Sequence, residues 1–144
     1  MRYKSAFTLT EIVIVVAIIS IISVYAAVSF SMASSRQLEA QTRKLTGDLC
    51  RIRDMAVARH RSFIVDFNTT SRVYAVYQDS ISPANFMEQK ALEVNSISIT
   101  PAPANVQFDF PRGTTTQDKQ IDLTYKGLTR QITVSSETGY VKWQ

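Results

Sequence analysis

The sequence predicts an α+β chain: a long amino-terminal helix carrying an all-β carboxy-terminal head of antiparallel strands. Three observations carry this expectation. Residues 12–30 contain no charge, no glycine and no proline. Residues 31–60 then space their apolar positions at helical intervals, and from Arg61 onward the apolar period drops to two.

The run from Ile12 to Phe30 would reach, at about 1.5 Å per residue, close to the roughly 30 Å hydrocarbon core of a bilayer. Ile and Val are only middling helix formers in water. Lipid, however, obliges the backbone to satisfy its own hydrogen bonds, which leaves the helix as the workable form. Residues 7–30 are therefore expected to form a transmembrane or filament-core helix. Glu11 stands against this run, where a lone carboxylate costs roughly 2.5–3.5 kcal/mol at mid-membrane. It needs a cation.

Over residues 31–60 the helix is expected to continue as an amphipathic segment. Leu38, Leu45, Leu49, Ile52 and Ala56 recur at steps of seven, four, three and four, which aligns them on one face. Arg36, Arg43, Lys44, Arg51 and Arg53 fall largely elsewhere, with Glu39 and Asp48 in reach as i,i+3 or i,i+4 partners. Gly47 weakens the run by about 1 kcal/mol relative to Ala and suits a bend or a close contact.

Residues 61–144 alternate. Ser62–Asn68 and Arg72–Gln78 read as strands joined by the turn Asn68-Thr-Thr-Ser71. Residues 79–91, with Pro83, Asn85 and Phe86, have no clear period and read as a loop. Leu92–Thr100 alternates and is stopped by Pro101 and Pro103. Val106, Phe108 and Phe110 lead to Pro111-Arg-Gly113, and Ile121, Leu123 and Tyr125 to Lys126-Gly127. Ile132 and Val134 lead to Glu137-Thr-Gly139, and Val141 with Trp143 closes the chain. This is the pattern of a β-meander whose apolar face covers the Leu38–Ala56 stripe.

The residue inventory offers little chemistry. Cys50 is the only cysteine, so the head has no internal disulfide and holds by packing. His60 is the only histidine, which leaves no His/Cys metal motif, and no nucleophile-elbow pattern accompanies it. No catalytic residue, metal ligand or cofactor is identified.

The start of the chain is more specific. Met1-Arg-Tyr-Lys-Ser-Ala6 is a short basic leader before Phe7, and Glu11 is the fifth residue counting from Phe7. This arrangement resembles the amino-terminal signature of type IV pilins and type II secretion pseudopilins. The resemblance implies cleavage between Ala6 and Phe7 by a prepilin peptidase, removal of residues 1–6, and methylation of the Phe7 amine. It also implies that this amine meets Glu11 of a neighbouring subunit during filament assembly, an attraction that in a low-dielectric setting offsets much of the desolvation. Three positions depart from the family pattern: Ala6 stands where Gly is usual, Thr10 where a large apolar residue is usual, and Val28 where many pilins carry a helix-kinking Pro. A secretory signal peptide cut after Ala26 or Ala33, or an ordinary single-span anchor, would also begin with a basic start and an apolar run. The run exceeds the usual ~7–15-residue signal core, and Glu11 interrupts its junction.

The tail has its own resemblance. Phe108-Asp-Phe-Pro-Arg-Gly113, then Ile121-Asp-Leu123, Arg130-Gln-Ile-Thr-Val-Ser135 and Gly139-Tyr-Val-Lys142 look like the carboxy-terminal half of H-type minor pseudopilins and FimT/FimU-type minor pilins. The implied protein is a non-catalytic structural subunit of a secretion pseudopilus or a type IV pilus. Its partners would be other pilin or pseudopilin subunits, the peptidase, an inner-membrane assembly platform and, before assembly, the lipid bilayer. Its amino terminus would be cytoplasmic and its head periplasmic.

The alternative is a DNA-binding minor pilin of a transformation pilus. Arg112, Lys126, Arg130 and Lys142, with the helix-end group Arg51, Arg53, Arg59, His60 and Arg61, would then form a phosphate-binding face. Charge argues against it. Loss of Arg2 and Lys4 would leave 16 − 2 = 14 Lys+Arg against 12 Asp+Glu, near balance.

Overall fold

The computed structural model describes residues 8–144, with the side chains of 26–31 outside the description. A helix, α1 (Leu9–Arg59), is followed by strands β1 (Phe63–Asn68), β2 (Val73–Gln78), β3 (Phe86–Ala91), β4 (Ser96–Thr100), β5 (Asn105–Phe108), β6 (Lys119–Tyr125), β7 (Leu128–Val134) and β8 (Val141–Trp143). The chain divides into two compact units between Ser35 and Arg36.

The first unit is the apolar part of α1. Thr8 caps it: its Oγ1 accepts from the Glu11 N–H at 3.3 Å, and its carbonyl accepts from Glu11 and Ile12. Ser20 and Ser23 return their hydroxyls to the carbonyls of Val16 and Ile19, each at 2.8 Å. Their polarity is therefore met inside the helix itself.

The second unit is the head. Leu38, Leu45, Leu49, Ile52 and Ala56 are all buried, as the helical spacing requires. Thr42 fills the seven-residue gap in that stripe. It is fully buried and tolerated because its Oγ1 donates to the Leu38 carbonyl at 2.8 Å. Gly47 makes neither bend nor close contact here: α1 runs through it, and no atom lies within 4 Å of where a Cβ would sit. The helix stops at Arg59 because His60 takes a positive φ of 56°, with the Arg61 N–H bonded back to Ala56.

The strands form two four-stranded antiparallel sheets rather than one meander. One is ordered β3-β2-β1-β5 and the other β4-β6-β7-β8. Phe63, Val65 and Phe67 of β1, Tyr74 and Val76 of β2, Val106 and Phe108 of β5, and Ile121, Leu123, Ile132 and Val134 of β6 and β7 close on the helical stripe in one core. Hairpin chemistry fixes the registers. Asn68 Oδ1 accepts from Thr70 and Ser71 in the β1–β2 turn. Lys126 and Gly127 both have positive φ, 49° and 81°, as a type I′ turn between β6 and β7 demands.

Residues 79–91 are not a plain loop. They contain a short 3₁₀ turn at Pro83–Asn85 and the edge strand β3. Its period was hidden because the positions facing the helix are Glu88 and Lys90, not apolar residues. The fourth strand begins at Ser96, although Leu92 and Val94 ahead of it are buried.

Candidate functional site

Two surfaces carry the residues singled out by the sequence. The first is the apolar helix with Glu11 in its opening turn. From Thr8 to Ser35 Glu11 is the only charged residue, so the described residues of this unit hold no cation to meet it. Around it Leu9, Ile12, Val13, Ile14, Val15 and their successors to Tyr25 are exposed on every side of the helix. A helix apolar all round is stable only inside something apolar. Among the described residues no helix is long and apolar enough to cross a membrane. The expected span over 7–30 includes Phe7 and the side chains of 26–30, which lie outside the described residues. Ala6 and Phe7, the expected cleavage and methylation site, lie outside the described residues. Thr8-Leu-Thr-Glu11 also has the Ser/Thr-x-x-Glu spacing of a capping box, a signal that marks this helix start independently of the leader.

The second surface is the head. Two of its cations near the helix end are paired internally. Arg51 binds Glu88 and lies 3.6 Å from Asp48, and Arg61 binds Asp79 at 2.8 Å. Arg53 packs its Cγ under Gly113, and its Nε is buried without a hydrogen-bond partner. Arg59 and His60 are exposed, with the His60 ring 4.5 Å from that of Phe110.

The four proposed nucleic-acid contacts do not form one stripe. Arg112 is in the turn before Gly113, and Lys126 is at the β6–β7 hairpin tip. Lys142 pairs with Thr133, three residues from Arg130 along β7. Odd spacing in a strand means opposite faces, so the second sheet separates Arg130 from Lys142.

The electrostatic centre of the head is Asp48 on α1. It accepts from Lys90 Nζ at 2.7 Å and from the Tyr74 hydroxyl at 2.5 Å. Burial alone would push its carboxyl up; the hydrogen bonds from Lys90 and Tyr74 and the charges of Lys90 and Arg51 reverse this and hold it below the usual carboxylate range. Tyr74 is pushed up, first by burial and then by its bond to Asp48. No nucleophile-base pair emerges from this arrangement, whose members are consumed in tying β2 and β3 to the helix. Among the described residues no group of three His, Cys, Asp or Glu side chains is placed to hold a metal.

Comparison with known proteins places these features. Residues 1–27 match the prokaryotic N-terminal methylation motif. The fold is similar to that of the type IV minor pilin FimU of Pseudomonas aeruginosa, with a TM-score of 0.64 and 12% identity over 78% of this chain and 92% of FimU. It is likewise similar to the minor pseudopilin EpsH from the type 2 secretion system of Vibrio cholerae, with a TM-score of 0.60 and 14% identity over 75% of this chain and 96% of EpsH. The fold is pilin-like. No curated protein sequence matches the chain. The methylation motif covers the basic stretch 1–6 and Glu11.

Proposed function

We propose that this pilin-like chain is a non-catalytic minor subunit of a type II secretion pseudopilus or a type IV pilus. A prepilin peptidase cuts between Ala6 and Phe7, and the exposed amine is methylated. The helix waits in the inner membrane with its amino terminus cytoplasmic and its head periplasmic. An assembly platform then moves it into a bundle of like helices, where the Phe7 amine of one subunit meets Glu11 of another.

The observation that carries this reading is Glu11 itself. It is the single charge between Thr8 and Ser35, on a stretch of α1 whose described apolar side chains are exposed all round. A cation from outside that unit removes most of the cost of keeping it there. A DNA-receptor role draws less support, because the cations it would use are divided between faces or paired with acids of the same head.

Glu11→Ala in cells that hold the whole assembly system tests the reading. The variant should insert in the membrane at normal level and be depleted from sheared filaments. Incorporation equal to the parent chain would overturn the assigned role of Glu11.

A further inference from the structure

The outward face of the β4-β6-β7-β8 sheet has a composition that the filament role does not use. Alternation sends Ile97, Ile121, Leu123, Ile132, Val134 and Val141 into the core, so the opposite face is built from serine, threonine, glutamine and aspartate. One row crosses all four strands: Thr100 faces Gln120, Gln120 faces Thr133, and Thr133 faces Lys142. In the next row Ser135 faces Tyr140, with the Ser135 N–H bonded to the Tyr140 carbonyl at 3.0 Å. Together with Asp118 and the Pro101 wall these residues line a cleft of about 420 Å³, within the rough 300–1,000 Å³ range of small-molecule sites.

The cleft is held in shape from behind. Lys119 Nζ donates to the carbonyls of Pro101 at 2.7 Å and Pro103 at 2.9 Å, which fixes that wall. Asp118, also in the lining, accepts at Oδ1 from both the Ser136 N–H and its hydroxyl. Asp122 accepts from the amides of Gln120 and Gln131 at 3.2–3.3 Å, so their Oε1 atoms remain available as acceptors. Tyr140 is 60% exposed at the rim and offers a ring face.

Charge selects among ligands. The two exposed charges of the lining, Asp118 and Lys142, oppose each other, and the buried Lys119 is turned to the Pro101 and Pro103 carbonyls, so the cleft has little pull on a polyanion. Its lining mixes the hydroxyls and amide of Thr100, Gln120, Thr133 and Ser135 with apolar surface from Pro101, Val134 and Tyr140. What fits is a ligand with many neutral hydroxyls and flat apolar ring faces. We propose that this cleft binds a neutral glycan chain, one sugar ring lying against Tyr140 and its hydroxyls bonding to Thr100, Gln120, Thr133 and Lys142.

Calorimetric titration of the full-length chain in a non-glycosidic detergent, with cellohexaose and chitohexaose as probes, tests this. Saturable binding of at least one of the two is expected at millimolar concentration. Tyr140→Ala should weaken it about tenfold, Tyr140→Phe should preserve it, and both variants should unfold at the parent temperature. No saturable binding of either probe would overturn the proposal. So would equal affinity in Tyr140→Ala, or tighter binding of a DNA duplex that survives that change.

Discussion

Lys90 Nζ on β3 lies 2.7 Å from Asp48 Oδ1 on α1. This pair turns an edge strand inward. Edge strands are aggregation templates unless something blunts them, and inward-pointing charge is one recognised device. Glu88 on the same face binds Arg51, so β3 meets the helix through ions where β1 and β5 meet the core through Phe63 and Phe108.

Removing the acceptor should therefore be expensive. Asp48→Ala leaves Lys90 and the Tyr74 hydroxyl without their shared partner and should destabilise the head by about 1.5–3 kcal/mol, read by thermal or urea unfolding. A loss below a few tenths of a kcal/mol would show that β3 is held by the sheet alone.

Asp48 also sets an acid limit. Its folded carboxyl is held below the ordinary value of about 3.9, so the unfolded chain binds the proton first as pH falls. The stabilisation is complete above that unfolded value and is lost as pH drops through the folded one. Asp48→Asn should flatten the acid limb of a stability-against-pH curve below about pH 4 relative to the parent chain. An unchanged slope would assign that limb to other carboxylates.

Two glycines should respond oppositely to alanine. At Gly139 φ is +62° and a Cβ would fall 1.8 Å from the Gly113 carbonyl oxygen, where two turns touch above Arg53. Gly139→Ala should cost at least about 2 kcal/mol. At Gly47, in mid-helix with open space around it, alanine should add up to about 1 kcal/mol. Chemical denaturation of both variants checks the pair, and a neutral Gly139→Ala would contradict the stacked-turn geometry.

Cys50 should be sluggish. Burial raises its thiol above the free value, and Asp54 adds to the effect, against a smaller opposing pull from Arg53. Alkylation by iodoacetamide near pH 8, followed by mass spectrometry, should be several-fold slower than for a small free thiol. A rate equal to the free thiol would mean that this face of α1 opens readily.

How far the sequence carried the fold depends on which residues spoke. The helical stripe was legible because Leu38, Leu45, Leu49, Ile52 and Ala56 are apolar at a period only a helix satisfies. The hairpins were legible where Asn68 and Lys126-Gly127 supply turn chemistry. The strand β3 was not, since its buried-side residues are Glu88 and Lys90 and an ion pair mimics a solvated loop in a hydropathy pattern. Nor was the division into two sheets, because β5 pairs with β1 across a long separation that alternation alone does not encode. Glu11 announced itself by being costly where it stands. The Thr100–Lys142 row did not, as its members lie on separate strands and adjoin only through register.

The central claim is that residues 1–6 are a leader whose loss creates the amine that Glu11 requires. Mass spectrometry of the amino-terminal peptide from chain recovered in its own cells measures this directly. A chain beginning at Phe7 with one added methyl group is expected. A chain that retains Met1, or one that starts at Ala27 or Ser34, would contradict it.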